Sequence, residues 1–430
     1  MPTPLQAVHR AMEGVWRIES GRIIASVARI VRDVGQAEEI AQDAVVAALE
    51  HWPQDGIPNN PAAWLMTTAK RRALDRVRAA TLHAHKHEAF EQELDTLGAS
   101  VTPDFVDALA QAQEDDIGDD LLRLIFTACH PVLSTEARTA LTLRLLCGLT
   151  TGEIARAFLV PEPTVAQRIV RAKRTLSEAH VPFEIPQAES RSERLASVLG
   201  VIYLVFNEGY SATAGEDWMR PALCDEALRL GRVLAGLAPH DGEVHGLVAL
   251  MEIQASRTHA RTDGEGRPVL LLDQDRTRWD PLLIRRGLAA LARAEALATQ
   301  PGGSGLGPYA LQAAIAACHA RAHRADATDW HRIVALYDAL CEVAPSPVVA
   351  LNRAVAVGMA WGPKAALELV EQLAAEPQLR KYHWLPSVRG NLLAKLGRHA
   401  EARTAFEQAA ALTQNARERA LLQERAHSLG

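Results

Sequence analysis

Apolar residues recur at helical spacing along this chain. In "AEEIAQDAVVAALEHW" (Ala37 to Trp52) two acids at the start are followed by apolar positions on one face, which predicts a helix. After the turn-rich "PQDGIPNNP", where Asn59-Asn60-Pro61 supply a cap, "AAWLMTTAKRRALDRVRA" predicts a second. Leu65, Met66, Ala69, Ala73, Leu74 and Val77 occupy one broad arc of it, while Trp64, Arg71, Asp75 and Arg78 share the other side. An outward aromatic with two arginines suits stacking on unpaired bases and phosphate contact. Packing of Trp64 against a neighbouring helix is the plainer alternative.

A sharper pattern follows in "LTTGEIARAFLVPEPTVAQRIVRAKRTL" (Leu149 to Leu176). Thr150-Thr151-Gly152-Glu153 fits a capping box and opens a short helix with the apolar face Ile154, Ala155, Phe158 and Leu159. Pro161 and Pro163 break that helix and are tolerated in the first turn of the next. There Val165, Ile169, Ala172 and Leu176 fall in one narrow arc at 3.6 residues per turn. Thr164, Gln167, Arg171 and Arg174 lie opposite, with Arg168 at the edge. Two short helices, a tight turn and a basic outer face bring Arg and Gln to base edges in a major groove. An amphipathic helix with a solvated basic face would explain the second helix but not the cap, turn and stripe together.

The residues after "VPFEIPQAES" repeat. "LAPHDGEVHGLVAL" and "VAPSPVVALNRAV" each place a proline between two helices, and Pro239 and Pro345 stand 106 positions apart, about three units of roughly 35 residues. "LAKLGRHAEARTAFEQAAAL" has the Leu-Gly, Ala and Phe pattern of a tetratricopeptide unit. An irregular helical-repeat domain is expected over 186–430. One insertion, 257–280, interrupts it: Asp-Gly and Glu-Gly turn signals precede the apolar run Val269 to Leu272, which predicts a small hairpin. Its Arg257, Arg261, Asp273, Asp275, Arg276 and Trp279 suggest a regulatory docking surface, with a self-contained ion-paired loop as the alternative.

Charge complicates the DNA reading. The chain of 430 residues carries a formal net charge of -6, the wrong sign for a protein that must hold a polyanion alone. The charge is unevenly placed. Residues 1–80 carry ten Lys/Arg against nine Asp/Glu, 131–180 carry seven against four, and 88–120 carry eleven acids and no Lys or Arg. The two lobes are slightly basic and their connector is acidic. With 48% apolar residues and this length, two to four domains are expected. The five cysteines have no metal-ligand spacing and read as free, mostly buried thiols. No apolar run is long enough for a membrane span and no secretory signal is present, so a cytoplasmic location is expected.

Both lobes together resemble the bacterial sigma-70 family, in the compact group called extracytoplasmic-function sigma factors. "AEEIAQDAVVAAL" with "NPAAWLMTTAKRRALDRVR" resembles the family's region 2, and "EARTALTLRLLCGLTTGEIARAFLVPEPTVAQRIVRAKRTL" resembles its region 4, in that order over roughly residues 5 to 180. The resemblance implies that Glu38, Glu39, Gln42 and Asp43 grip core RNA polymerase. It implies that Asn59, Asn60 and Trp64 lie by the melted -10 element with Arg71 and Arg78 on it or its phosphates. Thr164, Gln167, Arg168, Arg171 and Arg174 would read the -35 element of promoter DNA, and the acidic connector would run through the polymerase cleft. Affinity borrowed from the polymerase would resolve the charge paradox. Two positions depart from the family's pattern: Arg71 stands where many members carry Asn, and Leu159 where the turn usually has Gly. "FNEGYSAT" (Phe206 to Thr213) resembles an element of sigma factors with long extensions.

The expected fold is all-α: region 2 over 1–80, an acidic linker over 81–118, a region 4 helix-turn-helix over 119–180, and a tetratricopeptide-like domain over 186–430. The expected function is a sigma factor regulated in cis by an intramolecular contact from that domain, with no cofactor, no metal and no membrane partner. A stand-alone helix-turn-helix regulator with a repeat sensor is the alternative, and it leaves the first lobe unused. An enzyme using Glu208 and Tyr210 finds no support, because no nucleophile constellation, phosphate loop or metal spacing accompanies them.

Overall fold

The computed structural model describes residues 4–92, 117–158, 160–211, 214–215, 219–300 and 305–429. The chain divides into two compact units, Met1–Val201 and Ile202–Gly430. Leu159, Thr213 and most of the acidic connector lie outside the described residues.

The first unit holds helices α1 (Pro4–Val31), α2 (Val34–Asp55), α3 (Pro61–Gln92), α4 (Ile117–Ala128), α5 (Thr135–Leu145), α6 (Thr151–Phe158) and α7 (Glu162–Glu178). α1, α2 and α3 pack pairwise around Ile23, Ile24, Ile40, Leu65, Ala69 and Ala73, all buried. Asp33 starts α2 by accepting a hydrogen bond from the Gln36 amide at 2.8 Å, and Asn60 starts α3 from the Ala63 amide at 3.1 Å, as its Asn-Asn-Pro sequence predicts. The capping box forms as expected: Thr150 Oγ1 accepts from Glu153 N at 3.2 Å and Glu153 Oε2 accepts from Thr150 N at 2.8 Å. Each satisfies an amide that the helix leaves open. Pro161 is the N-cap of α7, and Val165, Ile169, Ala172 and Leu176 are its buried stripe, packed on α5 and α6.

α8 (Ala188–Tyr210) runs across the unit boundary. In the first unit, its Ser197 hydroxyl donates to the Cys129 carbonyl at 2.7 Å and Arg194 donates to the Phe126 carbonyl at 3.0 Å, so α8 closes the C-terminal end of α4.

The second unit continues with α9 (Pro221–Leu237), α10 (Gly242–Ala255), α11 (Pro281–Ala298), α12 (Pro308–Arg321), α13 (Trp330–Val343), α14 (Pro347–Trp361), α15 (Pro363–Leu373), α16 (Trp384–Lys395), α17 (His399–Leu412) and α18 (Ala416–His427). From α9 onward each helix packs on the next in sequence, and three apolar clusters succeed one another along the array. That is the order a helical repeat produces. α12 has only Gly307 at its N-cap, and Glu243 from α10 supplies the acceptor instead, taking the Tyr309 and Ala310 amides at 2.9 and 3.1 Å. Burial pushes the Glu243 carboxyl up, and the two amides counter it. Two-residue strands β1 (Ala214–Gly215) and β2 (Gln414–Asn415) pair in parallel, joining the start of this unit to its last helix.

The predicted hairpin forms only as a tight turn, in which the Asp263 amide donates to the Arg267 carbonyl at 3.0 Å and the Val269 amide to the Arg261 carbonyl at 2.8 Å. Thr262 and Pro268 make one antiparallel bridge around a turn in which Asp263 accepts from the Glu265 and Arg267 amides. Beyond the Val269 amide the apolar run to Leu272 forms no strand, because so short a pairing has no further strand to extend it.

Phe406 is buried at 1% exposure against Gly390, where an added Cβ would stand 3.0 Å from its ring, and beneath the Arg425 guanidinium at 4.7 Å. Phe406→Ala is expected to cost about 3–5 kcal/mol of unfolding free energy through the cavity it leaves, with Phe406→Leu recovering a large part. Urea unfolding followed by helicity checks this, and a transition unmoved by Phe406→Ala contradicts the packing described.

Candidate nucleic-acid interface

The outer face of α7 is the clearest candidate surface. Thr164, Gln167, Arg171 and Arg174 are exposed and Arg168 is half-buried at the edge, so the structure brings the five together on one side of one helix. Among the described residues Arg174 is the one of the five in an ion pair, with Glu178 at 2.6 Å; that carboxylate pushes its guanidinium pKa up. Thr164, Gln167, Arg168 and Arg171 also line a shallow cavity of about 450 Å³ with Ser134, Glu136 and Ala137 at the start of α5. The Ser134 side chain caps α5. The first turn of α5 and the first turn of α7 therefore both border this cavity.

In the first lobe, Trp52 and Trp64 meet edge to face at 5.6 Å and 72°. With His51, Asp55, Gly56, Ile57, Pro58 and Asn59 they line a cavity of about 570 Å³. Gly56 has φ +88, a left-handed turn that ends α2 beside the cavity. Trp64 is half-buried and Asn59 and Asn60 are exposed, so the packing alternative is met: Trp64 rests on Trp52, and the residue also borders the cavity. Trp52 sits in the apolar periodicity of α2, reads as core and is buried at 2% exposure; that it borders this cavity was not legible in the sequence. Arg71 and Arg78 are exposed farther along α3, and Arg78 lies 3.6 Å from Asp75.

The expected polymerase face on α2 is only partly exposed. Glu39 and Asp43 face solvent and Gln42 is half-buried; Asp43 lies 3.8 Å from Arg72. Val46, 52% exposed, continues their stripe one turn on and was not singled out in the sequence. Glu38 departs from expectation. It is 4% exposed, and its carboxylate accepts from Arg144 Nε at 2.6 Å and pairs with Lys173. Its place one position before Glu39 turns it off the outer stripe and toward the second lobe.

Comparison with known proteins gives a consistent pattern. The family model described as Sigma-70 region 2 matches residues 17–82, and the one described as Sigma-70, region 4 matches residues 123–176. Residues 194–295 match a family of unknown function, DUF6596. The ECF RNA polymerase sigma factor SigK of Mycobacterium ulcerans (strain Agy99) is 31% identical over 159 residues, covering 36% of this chain and 78% of that protein. SigK of Mycobacterium tuberculosis (strain ATCC 25618 / H37Rv) is 32% identical over 161 residues, with the same coverage of 36% and 78%. An uncharacterized protein of Rhizobium meliloti (strain 1021) is 45% identical over 400 residues, 93% of this chain and 91% of its own, so its similarity extends through the second unit.

The insertion at 257–280 is mostly not the outward docking surface expected. Arg261 and Trp279 are buried, at 7% and 4% exposure, and Arg257 and Arg276 are half-buried. Arg261 stacks over the Tyr210 ring at 3.5 Å and donates to the Tyr210 carbonyl; Arg257 donates to the Tyr210 hydroxyl and lies 5.7 Å from the Trp279 ring. Arg276 donates to the His319 and Ala322 carbonyls at 2.5 and 2.6 Å, closing the C-terminal end of α12, where a cation suits the helix dipole. These side chains turn inward because aromatic faces and open helix carbonyls give a planar guanidinium stacking surface and hydrogen-bond acceptors. Asp273 and Asp275 remain exposed, and Asp275 accepts from the Thr277 hydroxyl and amide at 2.7 and 3.0 Å.

Burial, with Arg257 and Arg276 nearby, pushes the His319 imidazole from 6.5 down to about 4. Above 6.5 neither folded nor unfolded chain protonates it. Between 6.5 and about 4 the unfolded imidazole takes a proton that the folded one refuses, so stability falls with falling pH by up to about 1.4 kcal/mol per unit, then levels off. His319→Gln is expected to remove this part of the slope. Urea unfolding of both proteins between about pH 7 and about pH 4 measures it, and parallel pH profiles would overturn the assignment.

Proposed function

Because the chain belongs to the sigma-70 family, in its extracytoplasmic-function group, and is an RNA polymerase sigma factor for promoter recognition, we propose how its residues divide that work. Region 2 over 1–80 binds core polymerase through Glu39, Gln42 and Asp43, with Val46 extending the patch. It receives the melted -10 strand at the cavity between Trp52, Asn59 and Trp64, with Asn60, Arg71 and Arg78 flanking it. Aromatic walls and an adjacent polar loop suit an unpaired base, whose stacking on an indole contributes about 1–3 kcal/mol. Region 4 over 119–180 reads the -35 element with Thr164, Gln167, Arg168, Arg171 and Arg174. The linker over 81–118 passes through the polymerase cleft. The observation that carries the reading is the exposed polar and basic face of α7, backed by a fully buried stripe.

The tetratricopeptide-like domain over 186–430 regulates these lobes in cis. What supports a shared task is that the Rhizobium relative is similar over 93% of this chain, the lobes and the second unit together. The protein works in the cytoplasm, where polymerase and promoters are, and acts by binding rather than catalysis. Among the described residues no helix is long and apolar enough to cross a membrane. Run-off transcription by core polymerase with the full-length chain and with one ending near residue 186 tests the regulatory role, and identical output from both would end it.

Two substitutions test the site assignment. Arg171→Ala should cost roughly 1 to 3 kcal/mol of promoter binding and relax specificity at one -35 position. A uniform loss across a promoter library would mean that Arg171 touches only phosphate. Glu39→Lys with Asp43→Lys should abolish co-purification with core polymerase while circular dichroism stays unchanged; undiminished co-purification would remove this face from the polymerase interface.

A further inference from the structure

The two lobes of the first unit are held together. α1 packs on α4 and α5 as well as on α2 and α3, and α2 touches α7. Gly21 of α1 lies where an added Cβ would meet Leu121 and Leu146 at 3.3 and 3.4 Å, and a Cβ at Gly148 would stand 2.7 Å from the Ser20 hydroxyl. Over this close seam run ion pairs: Arg17 of α1 with Glu153 of α6 at 2.9 Å, and Glu38 of α2 with Arg144 of α5 and Lys173 of α7. The Glu38 side chain is 5% exposed and those of Arg144 and Lys173 are 22% and 21% exposed. Lys173 also lies against Gly35, where a Cβ would be 3.6 Å from its Cδ.

This arrangement cannot span a promoter. The -10 and -35 elements lie about 25 base pairs apart, roughly 85 Å along unbent DNA at 3.4 Å per base pair. A compact body of about 200 residues has a radius of gyration near 16 Å and is roughly 43 Å across. The lobes must therefore separate before both elements are read, and separation pulls Glu38 away from two cations and into water, beside Glu39 and Asp43.

We propose that Glu38 is a lobe-to-lobe latch: in the free chain region 4 captures it through Arg144 and Lys173, and core polymerase, on engaging the same end of α2, releases region 4. This rests on α2 being the polymerase face. A chain that is closed most of the time binds polymerase with an affinity reduced by its open fraction, so weakening the latch without touching α2 should tighten binding.

The test uses the full-length chain with spin labels at Ile18→Cys on α1 and Val170→Cys on α7, both exposed, in a Cys341→Ser background. Free protein should give one short, narrow interlabel distance, and core polymerase should move it to longer values. Lys173→Glu should broaden the free distribution toward long distances and lower the Kd for core polymerase roughly tenfold. Lys173→Arg, which keeps a cation opposite Glu38, should keep the narrow distance and the original Kd. An unchanged distribution in Lys173→Glu, with circular dichroism intact, overturns the latch. A broadened distribution without tighter polymerase binding overturns the coupling to α2, a result separate from loss of core binding in the Glu39 and Asp43 variants.

Discussion

The packing of α1 against both lobes is the constraint on which the first unit depends. One 28-residue helix packs on α2 and α3 and presents Gly21 to α4 and the end of α5. Close approach there requires Gly148, whose φ of +65 suits glycine and whose missing Cβ leaves room for Ser20. Within that seam the Glu38 ion trio adds selectivity more than stability. Burying a carboxylate and two cations costs desolvation that their attraction roughly offsets, whereas removing one partner leaves a buried charge alone. Such a group penalises every misaligned packing of the lobes and tolerates the aligned one.

The local half of this structure was legible in the sequence. Caps at Asn60 and Thr150, the stripe Val165, Ile169, Ala172 and Leu176, and the outward Thr164, Gln167 and Arg171 all follow from spacing, because a helix fixes which side chains share a face. The succession of helices in the second unit was legible for the same reason. What failed depended on partners far away in sequence. Glu38 reads as a surface acid, yet its hydrogen-bond partner Arg144 is 106 positions on. Trp52 reads as core, and only folding puts Trp64 across from it. In the insertion, density of charge suggested exposure, but Arg261 and Arg276 found an aromatic face and helix carbonyls supplied by α8 and α12.

The second unit shows how a helical array manages its ends. Terminal repeats lack a neighbour and need a substitute. Here β1 and β2 bring the residues after α8 to those before α18. Asn415 both pairs in β2 and caps α18 by accepting from the Arg417 and Glu418 amides at 3.1 and 3.2 Å. The Thr413 hydroxyl donates to Glu418 at 2.5 Å, and His383, just before α16, lies 3.0 Å from the same carboxylate. The last helix is thus anchored by polar groups from three segments as well as by Leu422 and Ala426 in the apolar cluster.

The net charge of -6 then loses its force as an objection. At physiological ionic strength exposed charges are screened over about 8 Å, so the potential at a base edge is set by the side chains of α7 and the nearby helix ends, where Arg168 and Arg171 face outward. Acids elsewhere on the chain act at longer range, lowering non-specific attraction to DNA while leaving close contacts in the groove intact. A protein that meets DNA only in company with polymerase gains from that division. On the proposed reading the arginines of α7 supply the sequence preference, and the net negative charge of the chain weakens its hold on DNA when polymerase is absent.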